Sequence, residues 1–225
     1  MGKGNGKSMN KNANDLRIRM AEPDDAFTLL GIYEPYVENT CITFEYQVPS
    51  QEEFTKRIRE TLKKYPYLAA EQNGEIVGYA YASPFKGRPA YDWAVETTVY
   101  LKENAKGKGI GRQLYTALED ILRKQNITNA NACITYPNPE SMGFHEKMGY
   151  RIVGHFSKCG YKDGQWRDVV WMEKFLQEHL EKPKAVIPVG SFLRIPGWER
   201  EKPDIKTEGA KKPLLTQQSY SSAFD

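Results

Sequence analysis

The chain has little of what marks several common classes of protein. Its 225 residues hold three cysteines, Cys41, Cys133 and Cys159. An odd number of thiols at unrelated spacings makes neither a disulfide framework nor a CxxC pair, so free thiols in a reducing cytoplasm are expected. Histidine is equally scarce, and no His, Cys and Asp fall at metal-ligand spacing, so no metal is expected. No apolar run approaches the ~20 residues of a membrane span, which argues against a membrane partner. Charge of one sign is also missing. The sequence sets 32 Lys and Arg against 29 Asp and Glu for a net +3, and the two signs are interspersed, which argues against a nucleic-acid partner. The first 14 residues are mostly Gly, Lys and Asn and lack the apolar stretch of a secretory signal. Position 6 is Gly6, where a myristoylation signal wants Ser or Thr. A flexible leader over 1–14 is therefore expected.

What is present suffices for one core: 40% of residues are apolar and 12% aromatic. Leu16, Ile18 and Met20 alternate with Arg17 and Arg19 as a half-buried strand does. Pro23 opens a helix with Ala26, Leu29, Leu30 and Tyr33 on one face. Ser50 to Glu53 has the form of a capping box before Phe54, Ile58 and Leu62 at helical spacing, a helix that should end before Tyr65-Pro66. Asn73-Gly74 joins strands at Leu68–Gln72 and Ile76–Ala82. Ala94–Leu101 reads as a strong strand, with Val95, Thr97, Val99 and Leu101 on one face and Glu96, Thr98 and Tyr100 on the other. A Gly/Lys loop, a helix carrying Leu114, Leu118, Ile121 and Leu122, and a strand at Ala130–Tyr136 follow. Asn138-Pro139 starts a short helix ending at Gly149. A hairpin through Asp163-Gly164 closes the pattern. The order βααβββαβαββ predicts an α/β (α+β) domain over 15–183, a mixed sheet flanked by helices. From 184 to 225 the pattern dissolves around isolated Phe192, Leu193 and Trp198, and this tail is expected to be disordered or lightly docked.

Two places carry chemistry by residue type alone. Lys106-Gly107-Lys108-Gly109-Ile110-Gly111-Arg112 lies between a strand and an amphipathic helix. Glycines let backbone N–H groups converge, the helix start adds its positive dipole end, and the basic side chains add charge, so the loop suits a pyrophosphate. It is neither a Walker A loop nor a Rossmann fingerprint, since the Lys-Ser/Thr pair and the GxGxxG spacing are both missing. A solvated basic turn is the plainer alternative. Glu96, mid-strand, is costly if buried and unpaired; that makes it a candidate base with a raised pKa, against the plainer reading of a solvated strand residue.

The loop is similar to the Arg/Gln-x-x-Gly-x-Gly/Ala motif of the GNAT superfamily of N-acetyltransferases, with Lys106 in the place of the usual Arg or Gln. Asn138 to Tyr150, including Glu146-Lys147-Met148-Gly149-Tyr150, resembles a second segment of that superfamily. Pro84 to Tyr100 and Gly160 to Val169 resemble its phosphinothricin and methionine sulfoximine N-acetyltransferases. The resemblance spans about Leu16 to Pro183. It implies the acyl-CoA N-acyltransferase fold, with a mostly antiparallel central sheet, acetyl-CoA as co-substrate and a small amino-acid-like acceptor, as in herbicide resistance. It further implies a cytoplasmic homodimer. Glu96 would be the general base and His145 an acid or second base. The cofactor would meet the backbone at Val99, Tyr100 and Leu101, the loop at Lys106, Gly107, Lys108, Gly109, Ile110, Gly111 and Arg112, and then Asn138 and Ser141. Asn138 serves equally well as a plain helix cap. Lys86, Arg88 and Tyr91 would bind an acceptor carrying a carboxylate and a phosphinate-like or sulfone-like group, and Phe44 matches an aromatic near it. Acetylation of a peptide N-terminus or a polyamine, and a silent acyl-CoA-binding module, are the alternatives.

Overall fold

The computed structural model describes residues 16–191; the leader at 1–14 and the tail from Phe192 onward lie outside the described residues. The strands are β1 (Leu16–Met20), β2 (Tyr67–Gln72), β3 (Glu75–Pro84), β4 (Ala94–Leu101), β5 (Asn129–Tyr136), β6 (Arg151–Lys162) and β7 (Gln165–Phe175). The helices are α1 (Ala26–Asn39), α2 (Gln51–Leu62), α3 (Ile110–Lys124) and α4 (Pro139–Lys147). One sheet runs β1-β2-β3-β4-β5-β7-β6. Every neighbouring pair is antiparallel except β4 and β5, which are parallel. This is the mixed sheet read from the element order, mostly antiparallel as the family resemblance implies. Among the described residues no helix is long and apolar enough to cross a membrane.

Local chemistry sets the helix ends. Pro23–Asp25 forms a 3-10 turn rather than the first turn of the helix expected from Pro23. Asp25 is the reason: its carboxylate accepts the Glu22 N–H at 2.8 Å and is forked by the Arg19 guanidinium at 2.7 and 2.8 Å. Ser50 caps α2 by accepting from the Glu53 N–H at 3.2 Å. Glu53 does not complete the box and pairs with Arg57 at 3.2 Å.

Both faces of the sheet are covered across β2, β3 and the start of β4. On one face α3 lays Ile110, Leu114, Leu118 and Leu122 on Ala70, Val77, Ala80 and Val95. On the other, α1 and α2 lay Leu29, Ile32, Phe54 and Ile58 on Tyr67 and Tyr79. Tyr67 and Tyr81, directly opposite across β2 and β3, stack at 4.8 Å, the cross-strand aromatic pairing that stabilises a sheet. After β7 the chain crosses the base of α3. Trp93 Nε1 donates to the Lys184 carbonyl at 2.7 Å, Asn126 Nδ2 to that of Ala185 at 2.8 Å, and Gln125 Nε2 to that of Ile187 at 2.8 Å. The Val189 N–H donates to the Lys64 carbonyl at 3.1 Å, and Val189 itself is buried.

One ion pair ties α3 to β7. Glu119 is buried, and its Oε2 receives the Lys174 ammonium at 2.6 Å and Arg123 at 3.1 Å. Removing the carboxylate strands the Lys174 charge, whereas an amide keeps an acceptor in place. Glu119→Ala is expected to lower stability by about 1.5–3 kcal/mol in urea denaturation, with Glu119→Gln losing less.

Candidate active site

The site begins where β4 and β5 separate. Their pairing covers only Ala94–Glu96 against Asn129–Asn131. Beyond that point β4 stays with β3 to Leu101 and β5 stays with β7 to Tyr136. Side chains plug the fork: Asn131 Nδ2 donates to the Val95 carbonyl at 3.0 Å, and the Thr97 hydroxyl donates to the Asn131 carbonyl at 3.1 Å. At one end of β4 the Phe85 N–H donates to the Ala94 carbonyl at 3.3 Å; at the other the Lys102 N–H donates to Val77 at 2.9 Å. Strand alternation therefore turns the backbone groups of even-numbered residues toward β3 and those of Thr97, Val99 and Leu101 toward the gap. Of the expected cofactor contacts on this strand, Val99 and Leu101 face the gap. Tyr100 turns its backbone to β3, and its ring packs on Tyr33 at 5.0 Å and Tyr36 at 4.9 Å. The Leu101 carbonyl accepts from the Tyr36 hydroxyl at 2.6 Å.

The Gly/Lys loop follows. Gly107 and Gly109 have φ of +72° and +78°, values that a side chain disfavours. Gly109 caps α3, whose first in-helix bond runs from Gln113 to Gly109 at 3.2 Å. The amides of Ile110, Gly111 and Arg112 thus lack partners within the helix. Ile110 and Gly111 are buried, and Gly111 lets the helix approach Phe144 on α4. Lys108 and Arg112 are exposed. Lys106 is turned aside, paired with Glu103 at 2.6 Å and set over the Tyr36 ring at 5.2 Å.

Glu96 leaves β4 on the α1–α2 side of the sheet. Burial raises its carboxyl pKa, and the Lys86 ammonium opposes that rise. Lys86 lies over Phe85 at 5.1 Å and Trp171 at 5.8 Å. A cavity of about 850 Å³ is lined in part by Phe85, Lys86, Tyr91, Asn131, Phe156 and Trp171. Arg88 is exposed beside the short turn Pro89–Tyr91. Phe44 lies in the loop between α1 and α2, with its ring against Gly160.

His145 lies on the opposite face. Its ring sits among Tyr115, Phe144 and Tyr150 at 5.1–5.3 Å. Nδ1–H donates to the Ser141 carbonyl at 2.8 Å, which leaves the Nε2 lone pair to accept from the Tyr115 hydroxyl at 3.0 Å. Thr97, with its hydroxyl 3.3 Å from that of Tyr150, belongs to the same buried group. The sheet thus separates Glu96 from His145. Asn138 Oδ1 accepts from the Ser141 N–H at 3.1 Å, so the cap role is present. Sequence reasoning passed over Phe85, Trp171, Asn131 and Tyr115. Tyr115 sits at a core position of α3 and Trp171 on an alternating strand, so only their neighbours set them apart.

A forked sheet with an amide-rich loop at the open strand end and a raised carboxylate beside it defines an acyl-transfer class of site. Residues 18–171 match the family described as an acetyltransferase (GNAT) domain, and the chain belongs to that family. It is 35% identical over 175 residues to phosphinothricin N-acetyltransferase of Streptomyces viridochromogenes, covering 77% of this chain and 94% of that one. It is 33% identical over 162 residues to the L-methionine sulfoximine/L-methionine sulfone acetyltransferase of Pseudomonas paraeruginosa, covering 69% and 92%. The crystal structure of a GNAT superfamily phosphinothricin acetyltransferase from Sinorhizobium meliloti in complex with AcCoA matches with a TM-score of 0.73 at 33% identity. That match covers 77% of this chain and 96% of that one.

Burial lowers the His145 pKa below its ordinary 6.5, against the opposing bond to Ser141. The unfolded chain then binds the extra proton first as pH falls, so stability is full above pH 6.5 and declines as pH drops from there toward the folded pKa. Urea midpoints at pH 7.5 and 5.5 are expected to differ more in the wild type than in His145→Gln.

Proposed function

We propose that this acetyltransferase transfers the acetyl group of acetyl-CoA to the α-amine of a small polar amino-acid analogue. Phosphinothricin, methionine sulfoximine and methionine sulfone are the lead acceptors. The observation that carries the reading is the place of the half-buried Glu96, the last β4 residue paired with β5 before the strands part, where burial raises its carboxyl pKa and the Lys86 charge opposes the rise.

Acetyl-CoA supplies an activated thioester. The free amides at the start of α3, with Lys108 and Arg112, receive its pyrophosphate, and the Val99 N–H at the open edge donates to the thioester oxygen. Glu96 takes the proton of the incoming ammonium, a role suited to a carboxylate with a raised pKa. Lys86 and Arg88 hold the acidic groups of the acceptor, and Phe85, Tyr91 and Trp171 enclose its carbon chain. His145, on the α3–α4 side, is the candidate acid or second base: its Nε2 lone pair holds the Tyr115 hydroxyl, and it would return a proton to the departing thiolate only after taking one up from the attacking amine. The reading includes a cytoplasmic homodimer. Ile152, Val153 and Phe156 on β6, each about half exposed, support such an interface.

Glu96→Gln keeps the shape and removes the base. Its kcat at neutral pH is expected to fall ~10²–10⁴-fold, with acetyl-CoA binding intact in calorimetry. The rate should recover at high pH, where the amine is already neutral. Wild-type kcat in this variant removes Glu96 from the mechanism.

Gly109→Val forces a β-branched residue to a positive φ and re-aims the loop amides. The acetyl-CoA Kd is expected to rise by about tenfold, the loss of one or two hydrogen bonds, with unchanged circular dichroism.

A further inference from the structure

Lys162, the last residue of β6, is charged, lies only 2% exposed and belongs to none of the roles above. Its ammonium donates to the Val37 carbonyl at 2.7 Å and the Thr43 carbonyl at 2.9 Å. Val37 lies in the last turn of α1, where carbonyls lack helix partners and the dipole favours a cation. Thr43 lies in the irregular stretch between α1 and α2. One buried charge therefore fastens the end of a helix and the loop that follows it.

Gly160 lies two residues before Lys162 and so faces the same side of β6. A Cβ at 160 would overlap the Phe44 ring. The missing side chain makes room for that ring, while the ammonium two residues on grips the carbonyl of the residue before Phe44. The strand is shaped for this: its register against β7 slips between Phe156 and Gly160, and a bulge of this kind re-aims the residues that follow it. Two further bonds lock the same loop. The Tyr46 hydroxyl donates to the Tyr161 carbonyl at 2.5 Å, and the Thr135 hydroxyl to the Cys41 carbonyl at 2.7 Å. Thr135 lies on the face of β5 that carries Asn131, the register partner of Glu96, so the loop runs over the Glu96 side of the sheet.

We propose that Gly160 and Lys162 are positioning residues that seat Phe44 as one wall of the acceptor site, and so govern acceptor choice without touching the acceptor. The proposal rests on the functional reading above for what the wall encloses. A ring displaced by about 1 Å from its seat can cost ~10²-fold in acceptor kcat/KM.

The test compares wild type, Lys162→Met and Gly160→Ala. It measures kinetics with phosphinothricin and methionine sulfone, calorimetry with acetyl-CoA, and amide hydrogen exchange over residues 40–50. Both variants are expected to raise the acceptor KM, to shift the ratio of rates for the two acceptors, and to speed exchange in 40–50. The acetyl-CoA Kd and exchange at the start of α3 should not move. Gly160→Ala combined with Phe44→Leu should be less impaired than the two single changes predict, because the clash is gone. If Lys162→Met does not fold, Gly160→Ala and the double variant decide. Unchanged kinetics and exchange overturn the proposal; so does a parallel loss of acetyl-CoA binding, which marks general damage to the fold. A wild type that acetylates neither compound refutes the functional reading instead, and exchange over 40–50 then decides the seat by itself.

Discussion

The backbone edge that β4 exposes after Glu96 is the constraint on which the rest of the structure depends. Unpaired N–H and C=O groups inside a fold must find partners. Along most of β4 and β5 those partners are β3 and β7 on the outer sides. On the inner sides Asn131 and Thr97 substitute side-chain bonds for a ladder, and farther along Leu101 turns its C=O and N–H to the Tyr36 hydroxyl. Both helices that border the fork start at its open end, α3 after β4 and α4 after β5. The first-turn amides of α3 add donors to that region, whereas in α4 Pro139 has no N–H and Asn138 takes up that of Ser141.

The fork also divides the chemistry. Because side chains alternate along β4, neighbouring Glu96 and Thr97 serve opposite faces. Thr97 joins a buried group of hydroxyls and an imidazole between α3 and α4, where packing is tight and the hydrogen bonds are closed. Glu96 lies on the other side, where the Lys86 charge opposes the rise that burial causes in its carboxyl pKa. The two faces thus give adjacent residues of one strand different surroundings, closed and hydrogen-bonded on one side and more open on the other.

Elements with a local cause were legible in the sequence. Asn73-Gly74 and Asp163-Gly164 fixed two hairpins whose registers close at Gln72–Glu75 and Lys162–Gln165. Ser50 and Asn138 marked helix starts that the structure caps with those side chains. The alternation in Ala94–Leu101 placed Glu96 opposite Val95 and Val99. Features made by distant residues were not legible. No pattern says that the parallel pairing of β4 with β5 stops after Glu96, because the Asn131 and Thr97 bonds that end it join residues 34 and 36 positions apart. Lys162 reads as an ordinary charge beside a turn until Val37 and Thr43, more than a hundred residues earlier, close over it. Tyr100 reads as a cofactor contact until the β3 register assigns its backbone to Tyr79.

The crossing after β7 bears on where this protein can be shortened. The family pattern ends at residue 171, yet β7 runs on to Phe175 and Val189 is buried beyond it against the α1–α2 layer. Gln125, fully buried at the end of α3, relies on Ile187 and Lys64 for its amide protons. A polypeptide cut at the edge of the recognisable motif would open an apolar pocket under α3 and leave a polar group without its acceptor. The hydrophobic interior of this enzyme and the segment it shares with its relatives therefore end at different residues.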